Sequence, residues 1–419
     1  MVNSAKLIVV FLIIMALLIG CTASPAAAPV KPVAQEQKPP HIMIVYNSDI
    51  SGPYAPIAGP GVAAWTDAAA YINDELGGLY GVPWKITLMD TQGKVDACVA
   101  NLPKILDMKP KPLGLSLSVS AECEAMLALT REAQLPTMTA QTIGSLYPVG
   151  YQFSIYALYP DTFGYFCDWL VKNWKGTEKP KVAFLNWDTS FGRGFVTDET
   201  SAYAKQKGVD IVANEFFAVT DIDCSTQLLR IQNAKADWIF SGTMVSGSFA
   251  VASSANKLGL NIPIIFPMSG SYDGPIIRMN PKAAEGTYFV GGGWPVTDYT
   301  QPGIKKAREY WDKAGRPDKS WCTAIILNGW NVHMKFYEAA KRVVDKYGWQ
   351  NLDGKHVKEA LETFNNEKIF FGTQVITYTP DKHSQNLAFI GQVKDGVQVS
   401  LENTWNPMPD LRPAKFKSQ

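Results

Sequence analysis

Ile42-Met43-Ile44-Val45-Tyr46, then Val62, Trp65, Ala69, Ile72 and Leu76, then Trp84-Lys85-Ile86-Thr87-Leu88-Met89: this stretch decides the fold. The first run is an unbroken apolar segment of strand length, set between Pro39-Pro40 and the polar stretch from Asp49 to Pro53, and predicts a buried strand. The second set recurs at intervals of three and four residues, which gives a helix one apolar stripe. Gly77-Gly78 stops that helix, and a strand over Trp84 to Met89 completes a β-α-β unit. The alternation continues with a helix over Val95 to Leu106, a strand over Leu113 to Leu117 and a helix over Ala121 to Ala133. Repeated units of this kind predict a mostly parallel sheet covered on both faces.

After Tyr156 the cycle restarts. Helices over Asp161 to Trp174, Gly194 to Gln206, Thr226 to Ala234 and Ser246 to Leu258 alternate with strands over Lys181 to Asn186, Val209 to Phe217, Trp238 to Ser241 and Ile262 to Phe266. Two series of similar size predict an α/β protein with two Rossmann-like parallel-sheet domains. Open α/β sheets bind ligands beyond the carboxyl ends of their strands, so a cleft between the two sets of strand ends is the expected site.

Toward the N-terminus, Lys6 precedes an apolar run from Leu7 to Ile19, too short for the ~20 residues of a spanning helix. It closes on Leu18-Ile19-Gly20-Cys21, which resembles a bacterial lipobox. Residues 1–21 therefore read as an export signal ending in a lipidated Cys21. The segment 22–40 has five prolines and almost no large apolar side chain, the composition of a solvated tether. The body that follows is expected outside the cytoplasm, anchored to the membrane by its lipid.

A net charge of +1 argues against nucleic acid as a partner. Of the six cysteines, none shows CxxC or Cys/His zinc spacing, so neither metal nor other cofactor is expected. Cys167, Cys224 and Cys322 read as inert buried thiols. The four histidines fall at the tether's end (His41), within helical stretches (His333, His356) and in a polar turn (His383). No nucleophile elbow, phosphate loop or dinucleotide fingerprint is present, and an enzyme is not expected.

Several motifs together resemble the extracytoplasmic solute-binding proteins of branched-chain amino acid type that serve ABC importers, which have the type I periplasmic binding protein fold. They are Ser51-Gly52-Pro53-Tyr54-Ala55, Ile72-Asn73 with Gly77-Gly78-Leu79-Tyr80-Gly81, Asp90, Leu135-Pro136-Thr137-Met138-Thr139, Phe191-Gly192-Arg193-Gly194, Phe371-Gly372, Tyr378-Thr379-Pro380-Asp381 and Gln392-Val393-Lys394-Asp395-Gly396. The resemblance spans Ile42 to about Val399. It implies a three-strand hinge with crossings near Tyr156, Tyr288 and Asn366, a first domain of 41–156 plus 289–365, a second of 157–288 plus 366–405, and a tail of 406–419. It also implies a Cys98–Cys123 disulfide, a monomer, and delivery of a small-molecule ligand to the membrane subunits of an ABC permease by hinge closure. A sensory module of a signalling system is the alternative, since the same fold serves there.

By the same resemblance, hydroxyls after the third and fourth strands, Ser118, Ser120, Thr139 and Thr142, line the first wall, with Thr142 the best match in spacing. Trp187, Phe191, Thr243, Ser269 and Tyr272 form the second. Where amino-acid binders of the family place an acidic residue to pair with the ligand ammonium, this chain has Pro267-Met268-Ser269-Gly270-Ser271. Met244 and Thr243 stand where a tyrosine is common. An unpaired buried ammonium is costly, so the expected ligand is a small organic acid, amide or aromatic compound rather than leucine, unless Asp273 or Glu122 supplies the charge. Trp294 is a further candidate aromatic.

Overall fold

Strand β1 (Ile42–Ser48) pairs in parallel with β2 (Trp84–Asp90) and β3 (Gly114–Ser116), and this pairing organises the first half of the molecule. The computed structural model describes residues 37–268, 271, 274–293, 300–317, 321 and 323–417. Helix α1 (Ala55–Asp74) joins β1 to β2, α2 (Val95–Asp107) leads to β3, and α3 (Ser120–Glu132) leads to β4 (Thr137–Thr139); the short α4 (Ile143–Leu146) precedes β5 (Gln152–Ser154). The five strands lie in the order β2-β1-β3-β4-β5, all parallel. β1 is buried on both faces because both are covered: Ile42, Ile44 and Tyr46 enter one apolar cluster and Val45 another.

The second half runs α5 (Tyr159–Asn173), β6 (Lys181–Trp187), α6 (Ser190–Arg193), α7 (Asp198–Lys207), β7 (Asp210–Phe217), α8 (Ser225–Asn233), β8 (Trp238–Phe240), α9 (Ser246–Lys257), β9 (Ile264–Phe266), α10 (Gly274–Met279), α11 (Pro281–Ala284) and β10 (Tyr288–Gly291). The helix expected over Gly194 to Gln206 starts later, at Asp198, and the short α6 lies wholly before it. Thr197 caps α7 by accepting from Thr200 N and taking part in a capping box, which sets its start at Asp198. The chain then returns to the first half with α12 (Pro302–Lys313), α13 (Thr323–Tyr347) and α14 (Gly354–Leu361), followed by the hairpin β11 (Glu367–Ile369) and β12 (Gln374–Ile376). It ends on β13 (Leu387–Lys394), β14 (Val397–Ser400) and β15 (Asn406–Pro407) in the second sheet, whose order is β14-β13-β10-β9-β8-β6-β7 with β15 against β13.

Two boundaries differ from expectation. Tyr288 begins a strand paired with β9 and β13, so the second crossing follows Gly291. Ile369, Phe370, Ile376 and Tyr378 are buried with the first half's core, so the third crossing falls after Tyr378 rather than near Asn366. The crossings are tied together by side chains. Gln374 Nε2 donates to Ile155 O at 2.8 Å, Gln385 N donates to Tyr156 O at 3.2 Å, and Gln385 Nε2 donates to Gly292 O at 3.1 Å. Lys335 of α13, wholly buried, adds a 3.3 Å bond to Ile155 O, and burial pushes its ammonium down to about 7. The stretch expected as a tail is docked: Leu411 N donates to the buried Asp161 at 2.7 Å, and Arg412 pairs with Asp381 at 3.5 Å.

The expected Cys98–Cys123 disulfide is absent; both are free, buried thiols. Cys98 Sγ is engaged with Asn47, accepting from its Nδ2 at 3.4 Å, whereas Cys123 Sγ accepts from Ala140 N at 3.4 Å. The two sulfurs therefore sit against different backbone segments, and burial raises the pKa of each. Cys167 and Cys224 are also free and buried. Cys21, Ser269, Tyr272, Asp273, Trp294 and Cys322 lie outside the described residues.

Candidate functional site

A cavity of about 150 Å³ opens at the carboxyl ends of β1, β3, β6 and β8, the place an open parallel sheet offers a ligand. Each element supplies one face at its own period. On α1, Ala58, Gly61 and Trp65 recur at three- and four-residue spacing, and on α13 Ile325, Asn328, Gly329 and Val332 do the same. The two helices approach closely because Gly329 has no side chain: a Cβ there would lie 2.7 Å from Ala64 Cβ. Tyr46 comes from β1, Ser116 from β3, and Ser118, Val119, Ser120 and Ala121 from the loop and first turn of α3. The other half contributes Trp187, Thr189, Ser190, Phe191 and Met244.

Rings dominate the lining. Tyr46 meets Trp65 edge-on at 5.3 Å, Trp187 meets Phe191 at 6.2 Å, and Tyr54 reaches across from the first half to within 6.3 Å of Trp187, all within the range of favourable aromatic pairs. A second bond joins the halves where Ser190 Oγ donates to Glu124 at 3.1 Å. The remaining polar lining is hydroxyl and amide: Ser116, Ser118, Ser120, Thr189, Ser190 and Asn328. Among the described lining residues none is ionised. Trp187 Nε1, packed against Gly247 of α9, and Asn328 Oδ1 are buried and have no hydrogen-bond partner among the described residues.

Of the residues expected at the site, the cavity brings together Ser118, Ser120, Trp187 and Phe191. Three others turn away from it because their hydroxyls are used locally. Thr139 Oγ1 donates to Ala140 O at 3.1 Å, Thr142 caps α4 by accepting from Ser145 N at 3.0 Å, and Thr243 shares 3.0 Å bonds with Ser241 and Ser248. Glu122, weighed as a partner for an ammonium, does not line the cavity. It lies wholly buried behind the wall, hydrogen-bonded by Ser48 and Thr91, and burial pushes its carboxyl up to about 7. His333 is a core residue whose Nδ1 accepts from Trp84 Nε1 at 2.9 Å; burial lowers it to about 3.

Sequence reasoning missed Tyr46, Trp65, Ser116, Ile155 and the whole contribution of α13. Two signals were available: the alternation Ser116-x-Ser118-x-Ser120 and the Asn328-Gly329 pair inside an apolar helix. Among the described residues, no group of His, Cys, Asp or Glu is placed to hold a metal ion, and no helix is long and apolar enough to cross a membrane.

The family model described as periplasmic binding protein matches residues 41–398. The chain belongs to that family. Periplasmic binding proteins of known structure share its fold. One is a branched-chain amino acid ABC transporter protein from Thermus thermophilus with bound valine, 20% identical over 90% of this chain and 97% of its own, with a TM-score of 0.78. Another is a fatty acid ABC transporter substrate-binding protein from Thermomonospora curvata, 18% identical over 90% and 96%, with a TM-score of 0.77. A leucine-binding protein from Thermotoga maritima is 17% identical over 86% and 98%, with a TM-score of 0.70. No curated protein sequence matches the chain.

Proposed function

We propose that this periplasmic binding protein is the solute-binding component of an ABC importer, held outside the cytoplasm at a membrane by a lipid on Cys21, and that it captures a small organic solute. The observation that carries the reading is the cavity: rings from both halves with hydroxyls between them, at the strand ends, and no ionised side chain among the described lining residues. Such a site suits a solute with an apolar or aromatic body, because burying that body supplies about 25 cal/mol per Å². A free ammonium would find no carboxylate on the described lining, which turns the reading away from leucine-like ligands. The importers named for the structural neighbours support the transport role.

Binding proceeds by hinge closure in this reading. The solute docks on the first half, the second closes over it, and the closed form is what the permease recognises. The contacts of Tyr54 with Trp187 and of Ser190 with Glu124 are the ones closure would make. The test is a thermal-shift screen of the full chain against amino acids, amides, short carboxylates and aromatic acids. A compound at a hundred times its Kd raises stability by about 2.7 kcal/mol. A hit outside the amino acids is expected; stabilisation by branched-chain amino acids alone would overturn the ligand class. For the anchor, Cys21→Ser is expected to release the protein from membranes, and unchanged retention would contradict it.

A further inference from the structure

Behind the first wall a line of oxygens runs from Glu122 to the cavity. Ser48 Oγ meets Glu122 Oε2, Ser118 Oγ lies 3.0 Å from Ser48 Oγ, Tyr46 Oη lies 2.8 Å from Ser118 Oγ, and Asp49 O lies 3.1 Å from Tyr46 Oη. Ser48 Oγ also accepts from the N–H groups of Ser118 and Val119. These are four oxygen-to-oxygen contacts, and each needs one proton. With Glu122 ionised, only the hydroxyls of Ser48, Ser118 and Tyr46 can supply them. Ser48 then donates to Glu122, and Ser118 donates to Tyr46. With Glu122 protonated, Ser48 Oγ still has no lone pair for the carboxyl proton, because it accepts two backbone N–H groups, so Ser48 keeps donating to Glu122, Ser118 donates to Tyr46 and Tyr46 to Asp49 O. In both states the Ser118 proton is spent inside the wall. Turning it toward the cavity would leave a further pair of oxygens facing each other without a hydrogen.

Asp49 and Asp90 face the same carboxyl, and both already accept backbone N–H groups, from Gly52 and Tyr54 and from Ile50 and Gln92. Tyr46, Tyr54, Cys98 and Cys123 also adjoin it. Glu122 is therefore the member of this acidic group that takes up a proton; burial raises its carboxyl first, and the two aspartates raise it further. On the cavity side the exposed Ser118 is the end of this line that a solute reaches.

We propose that Ser118 meets the solute as a hydrogen-bond acceptor only, so that the solute's polar end is a neutral donor, a carboxamide N–H or an alcohol, and not a carboxylate. A carboxamide or an alcohol gives its N–H or O–H to Ser118 Oγ. A carboxylate leaves Ser118 Oγ facing an anion. The inference rests on the cavity being the solute site.

The test is calorimetric titration of the full chain at pH 7 with matched pairs: acetamide and acetate, isobutyramide and isobutyrate, benzamide and benzoate. The expected result is that at least one amide binds about tenfold or more tighter than its acid, and that Ser118→Ala brings that pair to within about threefold. Acids binding as tightly as their amides in every pair that binds would overturn the inference while leaving the solute site standing. So would a screen whose hits are all carboxylates. If no compound of the pairs or of the wider screen binds, the solute-site reading itself falls and the inference with it. The wild-type comparison needs no variant, so a Ser118→Ala protein that fails to fold does not shelter the claim.

Discussion

The two walls of the cavity share rings and hydroxyls but hold their hydroxyls differently. The first half presents hydroxyls held by a hydrogen-bonded line that ends on a buried carboxyl, from Tyr46 through Ser118 and Ser48 to Glu122. The second presents Trp187, Phe191 and Met244 beside Thr189 and Ser190, whose hydroxyl donates to Glu124 of the first half, while Ser241, Thr243 and Ser248 are bonded to one another behind the wall. Fixed hydroxyls orient a polar group but cannot adapt; rings enclose an apolar body with little directional demand. The contrast assigns orientation to the first wall and enclosure to the second, an order that suits a solute docking on the first half before closure.

The comparison breaks first at Trp187. Trp187→Ala removes a wholly enclosed indole and should cost about 3–5 kcal/mol in denaturant unfolding, with loss of solute binding in the screen. Next comes the carboxyl behind the first wall. Glu122 titrates near 7 in the folded protein against an ordinary 4.5, so its contribution to stability is full below pH 4.5 and is lost as pH rises through 7. Glu122→Gln should remove that slope, worth up to about 3 kcal/mol, from unfolding curves taken between pH 4 and 8. Thr142→Ala is the smallest and sharpest case: loss of a helix cap, about 1 kcal/mol, with solute affinity unchanged. An affinity loss there would restore Thr142 to the first wall.

The β-α-β alternation was legible because buried strands and striped helices leave periods in the sequence. The site was legible only in part. Thr139, Thr142 and Thr243 have the right residue type near the right strand ends, but spacing does not say whether a hydroxyl faces outward or bonds its own backbone. Tyr46 and Trp65 were read as strand and helix core, which they also are. Asn328 and Gly329 stand nearly 300 residues from β1, on a helix that only the third dimension brings to the cavity. The disulfide failed for a related reason: both cysteines lie on the same buried face of the first sheet, yet each sulfur is committed to a different backbone neighbour.

The most direct measurement of the central claim is the thermal shift of Gly61→Leu with and without the compound found by the screen. Gly61 lines the cavity on α1, and a Cβ there meets only Ile325 Cγ2, at 3.8 Å. Leucine should therefore fill the cavity without disturbing the core, and in a helix it is favoured over glycine by somewhat less than the ~0.8–1 kcal/mol that separates alanine from glycine. The account predicts a melting temperature at or above the wild type without the compound, and no further rise when it is added. A full rise on addition would show that the solute binds elsewhere.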